Sequence, residues 1–138
     1  MRYFIGLVAI IVFCFSAHAQ DKAPNAKAAQ SIIEQQINAF LSDDAAKALS
    51  FAAPGIQSLF PSPDVFMSMV QRGYSPVFRP QTFQFGKTVE ENGLLQQIVR
   101  IEAQAGGSFE ALYTLVQLPD GAWKIASVEL KKLPDIDV

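Results

Sequence analysis

Hydrophobic residues recur at helical spacing through the first half of the chain and alternate with polar residues through the second half. Between residues 31 and 41 the apolar positions form one stripe, typical of a helix packed on a core. That stripe consists of Ile33, Ile37, Phe40 and Leu41. From Gln81 onward Phe83 and Phe85 alternate with polar neighbours, which indicates a strand. The pattern therefore predicts helices first and a sheet afterwards.

Two further helix starts precede the strands. Ser42, Asp43 and Asp44 combine a hydroxyl cap with first-turn acids, so a second helix is expected from here to the Pro54-Gly55 pair. Residues 56–60 predict one more helical turn. Ser62-Pro63-Asp64 is the clearest start in the chain, and its helix is expected to end at Gly73.

Turn signals divide the second half into four strands. Asn92-Gly93 predicts a hairpin, and Gly106-Gly107 and Pro119-Asp120-Gly121 predict two more turns. A slip in the alternation of the last strand indicates a β-bulge near Ser127. We therefore expect an α+β domain, with N-terminal helices packed on one face of a curved, four-stranded antiparallel meander sheet. The strands are expected at residues 81–86, 94–104, 109–118 and 122–133.

The first nineteen residues have the pattern of an export signal. Arg2 precedes an uncharged run at residues 4–15, and Ala17-His18-Ala19 predicts cleavage before Gln20. The run is shorter than the roughly 20 apolar residues that span a bilayer, and an uncleaved anchor is the alternative. We expect a periplasmic or secreted protein with no stable membrane anchor after cleavage. The expected segments are a signal peptide at 1–19, a flexible leader at 20–29, one domain at 30–133 and a tail at 134–138.

The composition limits the partners and the catalytic and metal sites that the chain can have. The chain has 138 residues, 11 of them basic and 13 acidic, and this slight negative balance argues against nucleic acid as a partner. Its single cysteine and single histidine, Cys14 and His18, both lie in the predicted signal. A mature chain without them cannot build a Ser-His-Asp or Cys-His nucleophile, nor a usual zinc, haem or copper site. We therefore expect no metal and no cofactor.

Several motifs resemble one protein family. They are LFPSPDVFMSMV, the RGYSPVFRP that follows it, and ALYTL with PDGAWKI. These stretches are similar to domain-of-unknown-function family 4864, small exported proteobacterial proteins, over roughly residues 28–132. The family offers no catalytic residues to transfer. The architecture also resembles the cone of nuclear-transport-factor-2-like and ketosteroid-isomerase-like proteins, in which helices and a curved sheet enclose a pocket, and this likeness concerns the fold alone.

Three residues are candidates for a ligand site. Tyr74 and Arg79 lie in the crossing between helices and sheet, where a cone would have its mouth and where an arginine could hold an anionic ligand. Tyr113 lies in the third strand, where a tyrosine facing a pocket could stabilise an oxyanion. The alternative is that Tyr74 packs on the core while Arg79 lies along the surface.

A catalytic carboxylate is disfavoured by the strand alternation. Glu102 shares a face with Arg100, and Glu110 points away from Tyr113. An ion pair on a solvated face explains Arg100 and Glu102 more simply than a buried general base does.

The third strand is apolar on both faces. One set can face the helices, and the other needs a second cover. A twofold homodimer through the sheet would supply it, and cover from the C-terminal segment or the leader is an equal alternative. The two sets are Phe109, Ala111, Tyr113 and Leu115, and Leu112, Val116 and Leu118.

Three functions remain open. The first is an exported, non-enzymatic domain that binds a small apolar or amphipathic ligand, or a protein partner. The second is a pocket enzyme of the isomerase or hydrolase type that uses Glu or Asp with Tyr, and the third is a structural accessory with a filled interior. A pocket of a few hundred Å³ lined by tyrosine and apolar groups would favour binding. A buried carboxylate facing the pocket would favour the enzyme.

Overall fold

A computed structural model describes residues 23–135, and the predicted signal peptide at residues 1–19 lies outside this range. In the described part, helices precede one antiparallel sheet with the strand order β1-β2-β3-β4. The predicted α+β meander is therefore confirmed. The elements are α1 (Ala26–Leu41), α2 (Ala45–Ser50), α3 (Pro54–Gln57), α4 (Pro63–Gly73), α5 (Ser75–Phe78), β1 (Pro80–Glu91), β2 (Leu94–Ala103), β3 (Ser108–Gln117) and β4 (Trp123–Lys132).

Helix α1 begins five residues earlier than predicted, inside the segment expected to be a flexible leader. Ala26 and Ala29 are buried and extend the apolar stripe of the helix by one turn toward its N-terminus. At the other end, Leu41 is 40% exposed and does not belong to the stripe. Because the two alanines contact the core, residues 26–29 are part of the folded domain.

The second helix differs from its prediction at both ends. Asp44 rather than Ser42 caps α2, and its side chain accepts a hydrogen bond from the Lys47 amide at 3.1 Å. The helix stops at Ser50 because residues 51–53 turn to meet the edge of β4. The next helical turn, α3, begins at Pro54, two residues before the predicted start.

Helix α4 begins where the sequence predicts. The Ser62 hydroxyl accepts a hydrogen bond from the Val65 amide at 3.4 Å, and Pro63 occupies the first turn. Gly73 is the last helical residue rather than the cap, a role that Tyr74 takes. The one-turn helix α5 then fills the crossing into the sheet.

Strand β1 continues five residues past Gly86, its predicted end, because a β-bulge lets the strand resume its pairing with β2. Gln97 of β2 is fully buried, and its side chain reaches the carbonyls of the bulged residues. Its Nε2 donates to the carbonyls of Gly86 at 3.1 Å and Lys87 at 3.4 Å, while Thr88 Oγ1 donates to its Oε1. A buried amide thus replaces ladder hydrogen bonds that the bulge removes.

The sheet packs one face against the helices. On β3, Ala111, Tyr113 and Leu115 are buried on this inner face, while Leu112 and Val116 lie half-buried on the outer face. Between Thr114 and Leu115 the pairing with β4 skips one residue, so the predicted bulge is confirmed one position from Ser127, at Ala126. None of the helices within residues 23–135 has the length and hydrophobicity needed to cross a membrane.

The buried amide of Gln97 generates a stability prediction. Replacing it by leucine leaves the Gly86 carbonyl and the Thr88 hydroxyl without their buried partner, so Gln97→Leu should lower the free energy of unfolding by about 1–3 kcal/mol. Urea denaturation measures the change. The matched control is Gln96→Leu, the same substitution at the exposed neighbour, which should stay within about 0.5 kcal/mol of wild type. Equal losses in both variants would contradict this account of the bulge.

Candidate functional site

A partly open cavity of about 300 Å³ lies between α1, α4 and the first half of β4. Its walls are almost entirely apolar. Aromatic and aliphatic side chains from the helices and the α3–α4 connection form one wall, and residues beside the β4 bulge form the other. The apolar lining residues are Phe40, Ala52, Ile56, Leu59, Phe60, Phe66, Met69, Val70, Val77, Ile125, Ala126 and Val128.

The helical wall is built on a chain of phenylalanine rings. The ring centroid of Phe66 lies 6.1 Å from that of Phe40 and 5.3 Å from that of Phe60, and Phe78 extends the cluster behind Phe40 at 5.8 Å. Such tilted and edge-on contacts hold large rings in fixed positions. Phe40, Phe60 and Phe66 therefore form part of the cavity wall, and Phe78 supports this wall from behind.

The β-bulge shapes the opposite wall. Ala126, Ser127 and Val128 all line the cavity, although three consecutive residues of a regular strand would alternate between the two faces of the sheet. Just before them, Ile125 donates its amide to the Phe51 carbonyl and accepts from the Ala53 amide, both at 2.8 Å. This junction brings Ala52 into the wall.

Three polar residues line the cavity. Gln36 of α1 is buried, and its Nε2 donates to the Ala48 carbonyl at 3.1 Å. In the described part of the chain nothing donates to its Oε1. Tyr74 and Ser127 complete the polar set. The lining residues, all within residues 23–135, include no Asp, Glu, Lys or Arg, so the cavity is uncharged.

Tyr74 is the one predicted site residue that the structure brings to the cavity. Its position follows from the end of α4, since its amide donates to the Val70 carbonyl at 2.8 Å and the chain then turns into α5. The side chain is half-buried. It can therefore present its ring to an apolar ligand and its hydroxyl to a polar group.

Arg79 lies outside the cavity and has a structural role. Its Nη1 donates to the Leu41 carbonyl at 3.0 Å, its Nη2 forms an ion pair with Asp43, and its guanidinium lies 4.9 Å from the centre of the Phe78 ring. A cation at the C-terminal end of α1 complements the helix dipole. Through these three contacts the guanidinium stabilises the turn between α1 and α2.

Tyr113 is also outside the cavity lining. It is fully buried in the middle of the inner sheet face, and its hydroxyl has no hydrogen-bond partner in the described chain. Burial raises the pKa of this phenol above its usual value because the anion would lose its hydration. The residue is thus a core side chain with an unsatisfied polar atom.

Glu102 and Glu110 lie on the outer face of the sheet, away from the cavity. Arg100 Nε is 3.6 Å from Glu102 Oε1, and Ser108 Oγ donates to Glu102 Oε2 at 2.6 Å. The two residues form an ion pair, within β2 rather than across two strands. Glu110 pairs in register with Arg100 on the same face, so it does point away from Tyr113. Within residues 23–135, no group of acidic, histidine or cysteine side chains is placed to hold a metal ion.

Gln36 and the wall beside the bulge were not identified from the sequence. A signal for Gln36 does exist, because it lies three residues after Ile33 and four before Phe40, on the buried stripe of α1. A polar residue on such a stripe needs a buried partner, and this marks it as unusual.

Comparison with known proteins identifies the family. The family model described as Domain of unknown function (DUF4864) matches residues 20–138. The chain belongs to this family. A search of curated protein sequences gives no match.

Two solved structures are similar in fold. One is an NTF-2-like protein of unknown function from Silicibacter pomeroyi DSS-3, with a TM-score of 0.54 and 19% identity, over 78% of this chain and 94% of the other. The second is a SEC-C motif containing protein from Rhodopseudomonas palustris, with a TM-score of 0.51 and 14% identity, over 72% and 75% of the two chains. At these identities the likeness concerns the fold, which is the NTF2-like fold expected from the sequence.

The buried phenol of Tyr113 generates a pH prediction. Because its pKa is higher in the folded state than the ordinary value of 10.0, the folded protein keeps a proton that the unfolded chain loses, so stability falls as pH rises above 10. Tyr113→Phe should abolish this pH-dependent loss of stability, which amounts to up to about 1.4 kcal/mol per pH unit. At pH 7 the variant should be as stable as wild type or more so, because it removes an unpaired buried hydroxyl. Urea denaturation between pH 7 and 11 measures both effects, and parallel curves for the two proteins would contradict the prediction.

Proposed function

We propose that this protein is an exported, non-enzymatic binding protein whose cavity holds a small apolar or amphipathic molecule. The observation that carries the proposal is the uncharged apolar cavity of about 300 Å³ between α4 and β4. Ligand sites have this character, with mostly apolar walls and a few convergent polar groups. A filled interior, as an accessory protein would have, does not fit an open space of this volume.

The volume indicates the size of the ligand. An apolar cavity of about 150 Å³ stays dry and accepts benzene. A cavity of about twice that volume suits a compact molecule with on the order of twelve non-hydrogen atoms. A short acyl chain or a two-ring hydrocarbon skeleton has this size.

The polar groups indicate that one end of the ligand is polar. Gln36 Oε1 can accept a hydrogen bond, and the Tyr74 hydroxyl can donate or accept. These neutral groups favour a hydroxyl, carbonyl or amide over a fully charged group buried in the cavity, since an unpaired buried charge is costly. Arg79 takes no part in this proposal, because its guanidinium is bound to Asp43 and Leu41.

The enzyme alternative lacks support from the site. An isomerase-like mechanism needs a carboxylate in the cavity and a hydroxyl facing it. Within residues 23–135 no aspartate or glutamate lines the cavity, and Tyr113 lies outside the lining. Binding without chemistry is therefore the function that this geometry supports best.

Filling the cavity should abolish binding. Met69→Trp places an indole into the cavity wall, so the affinity for 2-naphthol, a neutral and fluorescent two-ring alcohol, should fall by at least about tenfold. Met67→Trp is the matched control, since Met67 lies on the same helix, is half-buried and is not part of the lining. Its affinity should stay within about twofold of wild type. Equal affinities in all three proteins would overturn the proposal.

Export rests on a different part of the chain and has its own test. The signal pattern of residues 1–19 predicts a mature protein that begins at Gln20 and is recovered from the periplasm or the medium. N-terminal sequencing of the cellular protein determines this directly. A protein that begins at Met1 would exclude cleavage and support the uncleaved anchor.

A further inference from the structure

The two edges of the sheet differ in regularity. An edge strand presents unpaired amides and carbonyls on which another strand can pair. The backbone of β1 is irregular, because its pairing with β2 shifts register near Pro80 and again between Phe85 and Thr88. On β4 the irregularity lies at Ala126, and residues 127–132 then run in regular register against β3. β4 is therefore the edge that can accept a further strand.

The direction of the β4 backbone groups follows from Ile125. Its amide and carbonyl point away from β3, since both bond to the segment at residues 51–53. Residues of an antiparallel pair alternate in direction, so beyond the bulge the backbone groups of Val128 and Leu130 point to the same open side. No backbone or side-chain group of residues 23–135 bonds to them there.

Charge determines which strand fits this edge. We propose that it is β4 of a second copy of the chain, paired antiparallel about a twofold axis at Leu130, so that the two sheets become one. In this register Glu129 lies opposite Lys131 of the partner subunit, and the symmetry repeats the contact. Both side chains are exposed on the outer face. Opposite charges placed directly across two strands stabilise the pairing.

Neighbouring registers are less suitable. An axis at Val128 would bring the partner strand onto Ile125, whose outward groups are already bonded to residues 51–53. An axis at Glu129, Lys131 or Lys132 would place two like charges directly opposite each other, which is repulsive. The register about Leu130 is the one that avoids both problems and uses the open groups of Val128 and Leu130.

Pairing through the outer sheet face is the competing arrangement. Its apolar side chains, Ile98, Leu112 and Val116, are half-buried and are interspersed with the exposed or half-buried charges of Arg100 and Glu110. Stacking two such faces would remove these charges from water, which is costly unless each finds a partner. Edge pairing leaves the same charges solvated.

Charge reversal tests the proposed register in the purified protein. Wild type should be a dimer by native mass spectrometry and by light scattering at micromolar concentration. Glu129→Lys places lysine opposite lysine at both symmetric contacts and should weaken the dimer by at least about tenfold. The double variant Glu129→Lys with Lys131→Glu restores opposite charges in exchanged order and should restore the dimer. Glu91→Lys, the same charge change on the same face at the other edge, is the control and should remain dimeric.

A cysteine placed on the axis gives a second readout. In the proposed register the two copies of residue 130 form a hydrogen-bonded pair with Cα atoms about 5.5 Å apart, which lies within the range of about 4.4–6.8 Å that a disulfide needs. The only native cysteine is Cys14, in the predicted signal. Leu130→Cys should therefore crosslink into a covalent dimer on mild oxidation, and Glu91→Cys should not.

The outcomes separate the arrangements. A monomeric wild type, or a dimer that is unaffected by Glu129→Lys and does not crosslink through Leu130→Cys, overturns the proposal. If Leu112→Gln dissociates the dimer and Glu129→Lys does not, the interface is the outer sheet face instead. Pairing about Leu130 is supported by three results together. The dimer is lost with Glu129→Lys, it is recovered in the double variant, and it crosslinks through residue 130.

Discussion

The pairing of Ile125 with residues 51–53 is the contact on which the functional geometry depends. Its two backbone hydrogen bonds, each 2.8 Å long, tie the segment after α2 to the start of β4. This contact brings Ala52 and Ile125 together in the cavity wall. It also occupies the outward backbone groups of β4 at Ile125, so the free edge of the sheet is limited to residues beyond the bulge. The position of the cavity and the extent of the free edge are thus consequences of one junction.

Two of the bulges in the sheet differ in their surroundings. At residues 86–87 of β1 the buried amide of Gln97 satisfies displaced backbone carbonyls. At β4 the extra residue is Ala126, and three successive residues line the cavity without filling it. A polar side chain therefore occupies one bulge, and a cavity borders the other. The difference lies in whether a side chain of matching polarity and length is available opposite the bulge.

Local signals predicted the elements well, and the site poorly. The Ser62-Pro63 cap and the Asn92-Gly93 turn act through neighbouring residues, so their structures follow from short-range rules. The contact of Arg79 with Asp43 could not be predicted, because the two residues are 36 positions apart and nothing local indicates it. Tyr113 does face inward as alternation requires, but alternation cannot distinguish a core position from a cavity wall. Gln97 faces the core by alternation with Leu95 and Val99, but the partners of its amide depend on a bulge in another strand.

The size of the cavity is itself evidence about its use. At about 24 cal/mol per Å³, a closed void of 300 Å³ would cost about 7 kcal/mol, comparable with the whole stability of a typical domain. The partial opening to solvent reduces that cost, yet the exposed apolar walls remain unfavourable in water. Larger side chains at Val70 or Ala126 could fill the space without any change in the fold. An apolar molecule in the cavity would recover the lost contacts in the same way, which is the physical reason why a ligand suits this site.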